Sequence, residues 1–142
     1  MEKFKRIYRE LILKGKYNEA YGNNAIEKDG YLEGVCIDFS KYLVEKMKEK
    51  GYKAYIISTR NDDGSLHAAV VYKENETRKL FIADPVTDIR MFTEQDLDIN
   101  QRKELAENSQ NQKIDINIYL GNEIFINNNI YELIKDIYRR VS

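Results

Sequence analysis

The sequence predicts an α+β fold: helices first, then an antiparallel β-sheet, then a closing helix. Three observations carry that prediction. Apolar residues recur at helical spacing near both ends and after Cys36. Apolar runs between 52 and 84 are punctuated by turn chemistry, and residues 113–120 alternate apolar with polar.

Each element follows in order. Phe4, Ile7, Tyr8, Leu11 and Ile12 mark a first helix, with Gly15 as its stop. Residues 16–33 have a weaker pattern and read as a short helix and loops. From Cys36 the period is again helical: Phe39, Leu43 and Met47 lie four apart, and Gly51 is placed to end the helix. Lys46, Lys48 and Lys50 suit the negative end of its macrodipole. "YKAYIIST" reads as a buried strand, "RNDDG" as a turn, "SLHAAVVYK" as a second strand, and "KLFIAD" as a third that stops at Pro85. Thr93 is placed to cap a short helix, with Asp96 three residues on. Ile114, Ile116, Ile118 and Leu120 predict a half-buried strand over 113–120, turned by "GN" into "EIFIN". Ile130, Leu133, Ile134, Ile137 and Val141 predict the C-terminal helix, capped by Asn128 or Asn129.

A chain of 142 residues reads as one domain, residues 1–142, long enough for a sizeable core. The apolar share of 42% and charged share of 33% are those of ordinary globular proteins. A formal net charge of −1, with Lys and Arg scattered, argues against a nucleic-acid partner. One cysteine excludes an internal disulfide framework. No apolar run reaches membrane-spanning length, and "MEKFKRIYRELILKGK" lacks a signal-peptide stretch, so the expected location is cytoplasmic with no membrane partner. Asp62, Asp63 and Gly64 lack the further acidic ligands of a calcium loop, and Cys36 with His67 lacks zinc partners, so neither a metal nor a cofactor is expected.

The chemistry converges on Cys36. A helix N-terminus carries partial positive charge and unpaired N–H groups, so a thiol placed there has its thiolate form favoured. Gly34, two residues earlier, permits a tight turn beside an approaching substrate. A thiolate nucleophile needs a proton-transfer partner, and the chain holds a single histidine, His67, in the second strand. If the second and third strands form a hairpin with Lys73 opposite Arg78, His67 falls opposite Asp84, with β-carbons about 4.5–5.5 Å apart. A slip of one residue would send Asp84 to the other face.

With those residues in place, "GVCIDFSKYLVEKMKEKGYKAYII", "LHAAVVY" and "LFIADPV" resemble the core of the transglutaminase-like branch of the papain-like cysteine enzymes. The resemblance covers residues 34–86. It implies a papain/transglutaminase-like core with Cys36, His67 and Asp84 as the catalytic triad. Two departures stand out: the chain has no Trp, and Gly30 holds the position where papain relatives carry an oxyanion-stabilising Gln. Backbone groups at Gly34, Val35 and Cys36, with Asn23 or Asn24, are the candidate oxyanion or substrate contacts.

The expected reaction is cysteine-dependent acyl transfer on an amide of a protein or peptide substrate. Protease, glutamine deamidase and transamidase all fit, as does small-molecule acyl transfer given an acyl-donor pocket. The alternative is a non-catalytic protein-binding module that keeps the fold. Sequence pattern leaves the oligomeric state open.

Overall fold

The computed structural model describes residues 3–60, 63–116, 118, 119 and 139. The architecture is α+β: among the described residues, four α-helices accompany a three-stranded mixed sheet and a four-stranded antiparallel sheet.

Helix α1 (Lys3–Lys14) buries Phe4, Ile7, Tyr8, Leu11 and Ile12, the stripe its sequence announces. Beyond it the chain approaches α3 (Pro85–Glu94) so closely that a β-carbon at Gly15 would lie 2.5 Å from Ile89 Cδ1. Arg102, in α4 (Ile99–Glu107), closes the end of α1 by donating from Nη1 to the carbonyls of Ile12, Leu13 and Gly15.

The stretch read as a short helix and loops holds more order than expected. Asn18 caps a 3-10 helix, Glu19–Tyr21, through its side-chain oxygen. Around it run three short strands, β1 (Gly15–Tyr17), β2 (Ile26–Lys28) and β3 (Tyr31–Gly34), ordered β1-β3-β2. β1 pairs with β3 in parallel and places Tyr17 beside Gly34. β2 and β3 form an antiparallel hairpin whose turn residues, Asp29 and Gly30, both have positive φ. Strands of three or four residues are too short to display alternation, so the period could not reveal them.

Helix α2 (Cys36–Glu49) begins at the cysteine and buries Phe39, Leu43 and Met47. It ends as expected at Gly51, where φ is 86°. Gly51 N–H donates to Lys48 and Tyr52 N–H to Met47, which satisfies the last carbonyls.

The larger sheet runs β4 (Ala54–Arg60), β5 (Leu66–Lys73), β6 (Leu80–Ala83), β7 (Ile114–Asp115) in that order. The two faces of the sheet belong to different clusters. Val70, Tyr72 and Ala83 join α1, α2 and α3 in the main core, whereas Ala69, Val71 and Ile82 pack with Ile116 and Tyr119.

Two sequence expectations are corrected here. Thr93 does not open a helix; it lies in the last turn of α3, which starts at Pro85, a proline well suited to a first helical position. The capping box belongs to Asp98 and Gln101 at the start of α4. The strand expected over 113–120 is confined to Ile114 and Asp115; residues 116, 118 and 119 are helical, with Ile116 and Tyr119 buried and Ile118 exposed. The expected "EIFIN" strand and C-terminal helix lie outside the described residues.

Candidate active site

Cys36 is the first residue of α2, and the turn before it is built by Asp38. The Asp38 carboxylate folds back so that Oδ2 accepts the N–H of Val35 at 2.9 Å and that of Asn23 at 3.0 Å. Gly34 makes room for this: a β-carbon there would lie 2.7 Å from the same oxygen. The turn at Asn23 and the start of α2 are therefore tied together through one carboxylate. Its negative charge also suits the positive end of the helix.

His67 is the second residue of β5, and its Nε2 lies 2.8 Å from Asp84 Oδ2. A carboxylate only accepts, so Nε2 carries the proton of this bond. The register differs from the expected one: Lys73 pairs with Leu80, not with Arg78. His67 and Asp84 are thus displaced by two residues from direct opposition. A displacement of two keeps side chains on one face, so the pair forms diagonally. Thr59, on β4, stands opposite His67, and its Oγ1 is buried with no hydrogen-bond partner among the described residues.

Asp84 sits immediately before α3 yet makes no side-chain bond to that helix. Its Oδ1 is buried with no hydrogen-bond partner among the described residues, and Oδ2 accepts from His67. The backbone of Asp84 is held on both sides: its N–H donates to Asn111 O at 2.8 Å, and its carbonyl accepts from the Tyr8 hydroxyl at 3.3 Å.

Cys36 and His67 line one cavity of about 530 Å³. Cys36 is half-buried against the main core, whereas strand alternation puts His67 on the side of Ala69 and Val71. The cavity reaches both from the end of β5. Its further wall is formed by Tyr17, Glu19, Arg90 and Glu94, which the sequence reading did not single out. Arg90 stacks on the Tyr17 ring, 4.8 Å from its centroid, and donates to Glu94 at 3.0 Å. The Tyr17 hydroxyl donates to Glu19 at 3.2 Å. Burial, then that bond, push the Tyr17 phenol above its ordinary value, so it stays protonated at neutral pH. The pairing of β1 with β3 sets Tyr17 beside Gly34, two residues before Cys36, and leaves no periodic signal in the sequence.

Of the other expected contacts, Gly34 and Val35 shape the turn before Cys36. Asn23 donates its N–H to Asp38 and accepts at Oδ1 from Lys41 Nζ, and Asn24 donates its N–H to the Tyr21 carbonyl; neither asparagine lines the cavity. Among the described residues no group of three metal-ligating side chains occurs, and no helix is long and apolar enough to cross a membrane.

Comparison with protein-family models, with curated proteins and with solved structures gives no match.

Proposed function

We propose that the chain is a cysteine-dependent enzyme of the papain/transglutaminase-like kind, acting on an amide bond by acyl transfer. The observation that carries this reading is the 2.8 Å His67–Asp84 bond on a cavity whose wall includes Cys36 at a helix start.

Asp84 holds the ring through Nε2, so Nδ1 is the nitrogen that exchanges a proton with the thiol. Cys36 Sγ, having given its proton to His67, attacks the amide carbon and the carbonyl electrons move onto oxygen. Backbone N–H groups at the start of α2 stabilise that oxyanion. As the carbonyl re-forms and the C–N bond breaks, the imidazolium passes its proton to the departing amine or ammonia, leaving a thioester. Water, deprotonated by His67, then attacks the thioester; the C–S bond breaks and the sulfur leaves as thiolate. An amine acceptor in place of water gives transfer instead of hydrolysis.

The test is the rate of Cys36 alkylation by iodoacetamide against pH, in the parent and in His67→Ala. A rate that persists well below the free-thiol pKa of about 8.5, and an acid limb altered by His67→Ala, support the ion pair. An ordinary thiol titration, or no reaction until unfolding, would overturn it and leave a binding module with a structural cysteine.

A further inference from the structure

We propose that Asp88 and Tyr8 are positioning residues for Asp84: they hold its carboxylate off the start of α3 and on the ring of His67. This rests on the triad reading above.

An aspartate just before a helix ordinarily accepts a hydrogen bond from the second or third helical N–H, and that bond stabilises the helix. Asp84 occupies this position at φ −124° and ψ 75° and makes no such bond. Its carboxylate turns to His67 instead, leaving Oδ1 buried and, among the described residues, unpartnered. An arrangement that forgoes a cap and strands a buried oxygen must be held by its surroundings.

The grip on the Asp84 peptide leads to Asp88 from both sides. Tyr8, fully buried on α1, directs its one hydroxyl proton mainly at Asp88 Oδ2, 2.5 Å away, and shares it with the Asp84 carbonyl at 3.3 Å. Asn111, whose carbonyl accepts the Asp84 N–H, donates through Nδ2 to Asp88 Oδ1 at 3.1 Å. Ser109 completes the set: its hydroxyl donates to Asp88 Oδ2 at 2.5 Å and accepts the Asn111 N–H at 3.2 Å. Asp88 itself is only 5% exposed, and its hydrogen-bond partners are neutral donors. A buried carboxylate whose hydrogen-bond partners among the described residues are all neutral is costly to keep where an apolar side chain would pack. What this one achieves is to fasten α1, α3 and the 109–111 segment around a single peptide, that of Asp84.

The chain has one histidine, so selective ¹⁵N labelling gives a single imidazole spectrum. The experiment measures solvent exchange of the His67 Nε2–H in the full chain, for the parent, Asp84→Asn, Tyr8→Phe and Asp88→Asn. Tyr8→Phe leaves the Asp88 charge in place, which separates positioning from through-space electrostatics. In the parent the Nε2–H exchanges slowly, and Asp84→Asn accelerates it. The expected result is acceleration by about tenfold in Tyr8→Phe and Asp88→Asn, the loss of one hydrogen bond's protection, with backbone amide shifts elsewhere retained. Exchange within about twofold of the parent in both variants would overturn the proposal. If either variant fails to fold, Ser109→Ala, which removes one donor only, is read against the same two thresholds. Failure of the triad reading looks different: Asp84→Asn itself would then match the parent.

Discussion

His67 Nε2 and Asp84 Oδ2 lie 2.8 Å apart, although the two residues are not partners in the sheet. A diagonal pair depends on where the strand ends more than on the ladder itself. β6 stops at Ala83, and Asp84 already belongs to the turn into α3.

Under the proposed triad, that location sets helix stability against thiol activation. Asp84→Ser supplies a hydroxyl able to cap α3 and removes a buried unpartnered oxygen. Urea unfolding is expected to show a gain of about 0.5–1 kcal/mol, while Cys36 alkylation near neutral pH slows by at least about tenfold. A variant that is both less stable and equally reactive would contradict the assignment.

Gly34→Ala puts a β-carbon 2.7 Å from Asp38 Oδ2 and 2.9 Å from Asp38 Cβ. Asp38 must then release the N–H groups of Val35 and Asn23. The expected cost is about 1–3 kcal/mol in urea unfolding, accompanied by slower alkylation in the fraction that remains folded. Unchanged stability would show that the turn before α2 has slack the structure does not display.

Arg102→Met leaves the carbonyls at the end of α1 without their guanidinium, in a place where the arginine is 3% exposed. A loss of about 2–3 kcal/mol is expected from urea titration, and Arg102→Lys should recover little because an ammonium lacks the planar fork. Burial holds the Arg102 pKa below the usual guanidinium value, yet arginine stays charged throughout the accessible range. The effect should therefore be independent of pH between 6 and 9, roughly the range in which an ordinary guanidinium does not titrate.

Alkaline pH should act through Tyr8. Burial first, then the neighbouring Asp88, push its phenol well above the usual 10.0. The folded chain thus keeps this proton at a pH where the unfolded chain has lost it. The contribution is complete below about pH 10 and declines as pH rises above that, by at most about 1.4 kcal/mol per unit. Urea midpoints between about pH 8 and 11 should fall more steeply for the parent than for Tyr8→Phe; parallel curves would exclude Tyr8 as the source.

Much of this layout was legible in the residues, and the failures have physical causes. Phe39, Leu43 and Met47 gave the period of α2, and Gly51 its end, because both signals are local. The position of Cys36 at a helix start was visible for the same reason. The face shared by His67 and Asp84 came out correctly from a register that was two residues off, since side chains repeat every second residue. Pro85 was read as the end of a strand when it is also the start of a helix; its fixed φ serves both. β1 and β3 escaped because their partnership spans the intervening hairpin and leaves no periodic trace. Tyr17, brought to the cavity by that partnership, escaped with them, and so did Arg90 of α3, which stacks on its ring. The helical burial of Ile116 and Tyr119 shows tertiary contact overriding an alternating pattern.

The reach of the Tyr8 hydroxyl carries a consequence for assembly. Tyr8 and Asp84 are 76 residues apart in the chain, whereas His67 and Asp84 are separated by 17. Bringing the distant pair together costs more chain entropy than closing the short one. Assembly in which the β5–β6 pairing precedes docking of the N-terminal helix is thereby favoured, so the His67–Asp84 bond gains its rigid support last. Under the proposed triad, thiol reactivity becomes a timer of maturation: in refolding experiments it should lag the appearance of sheet and coincide with the burial of Tyr8.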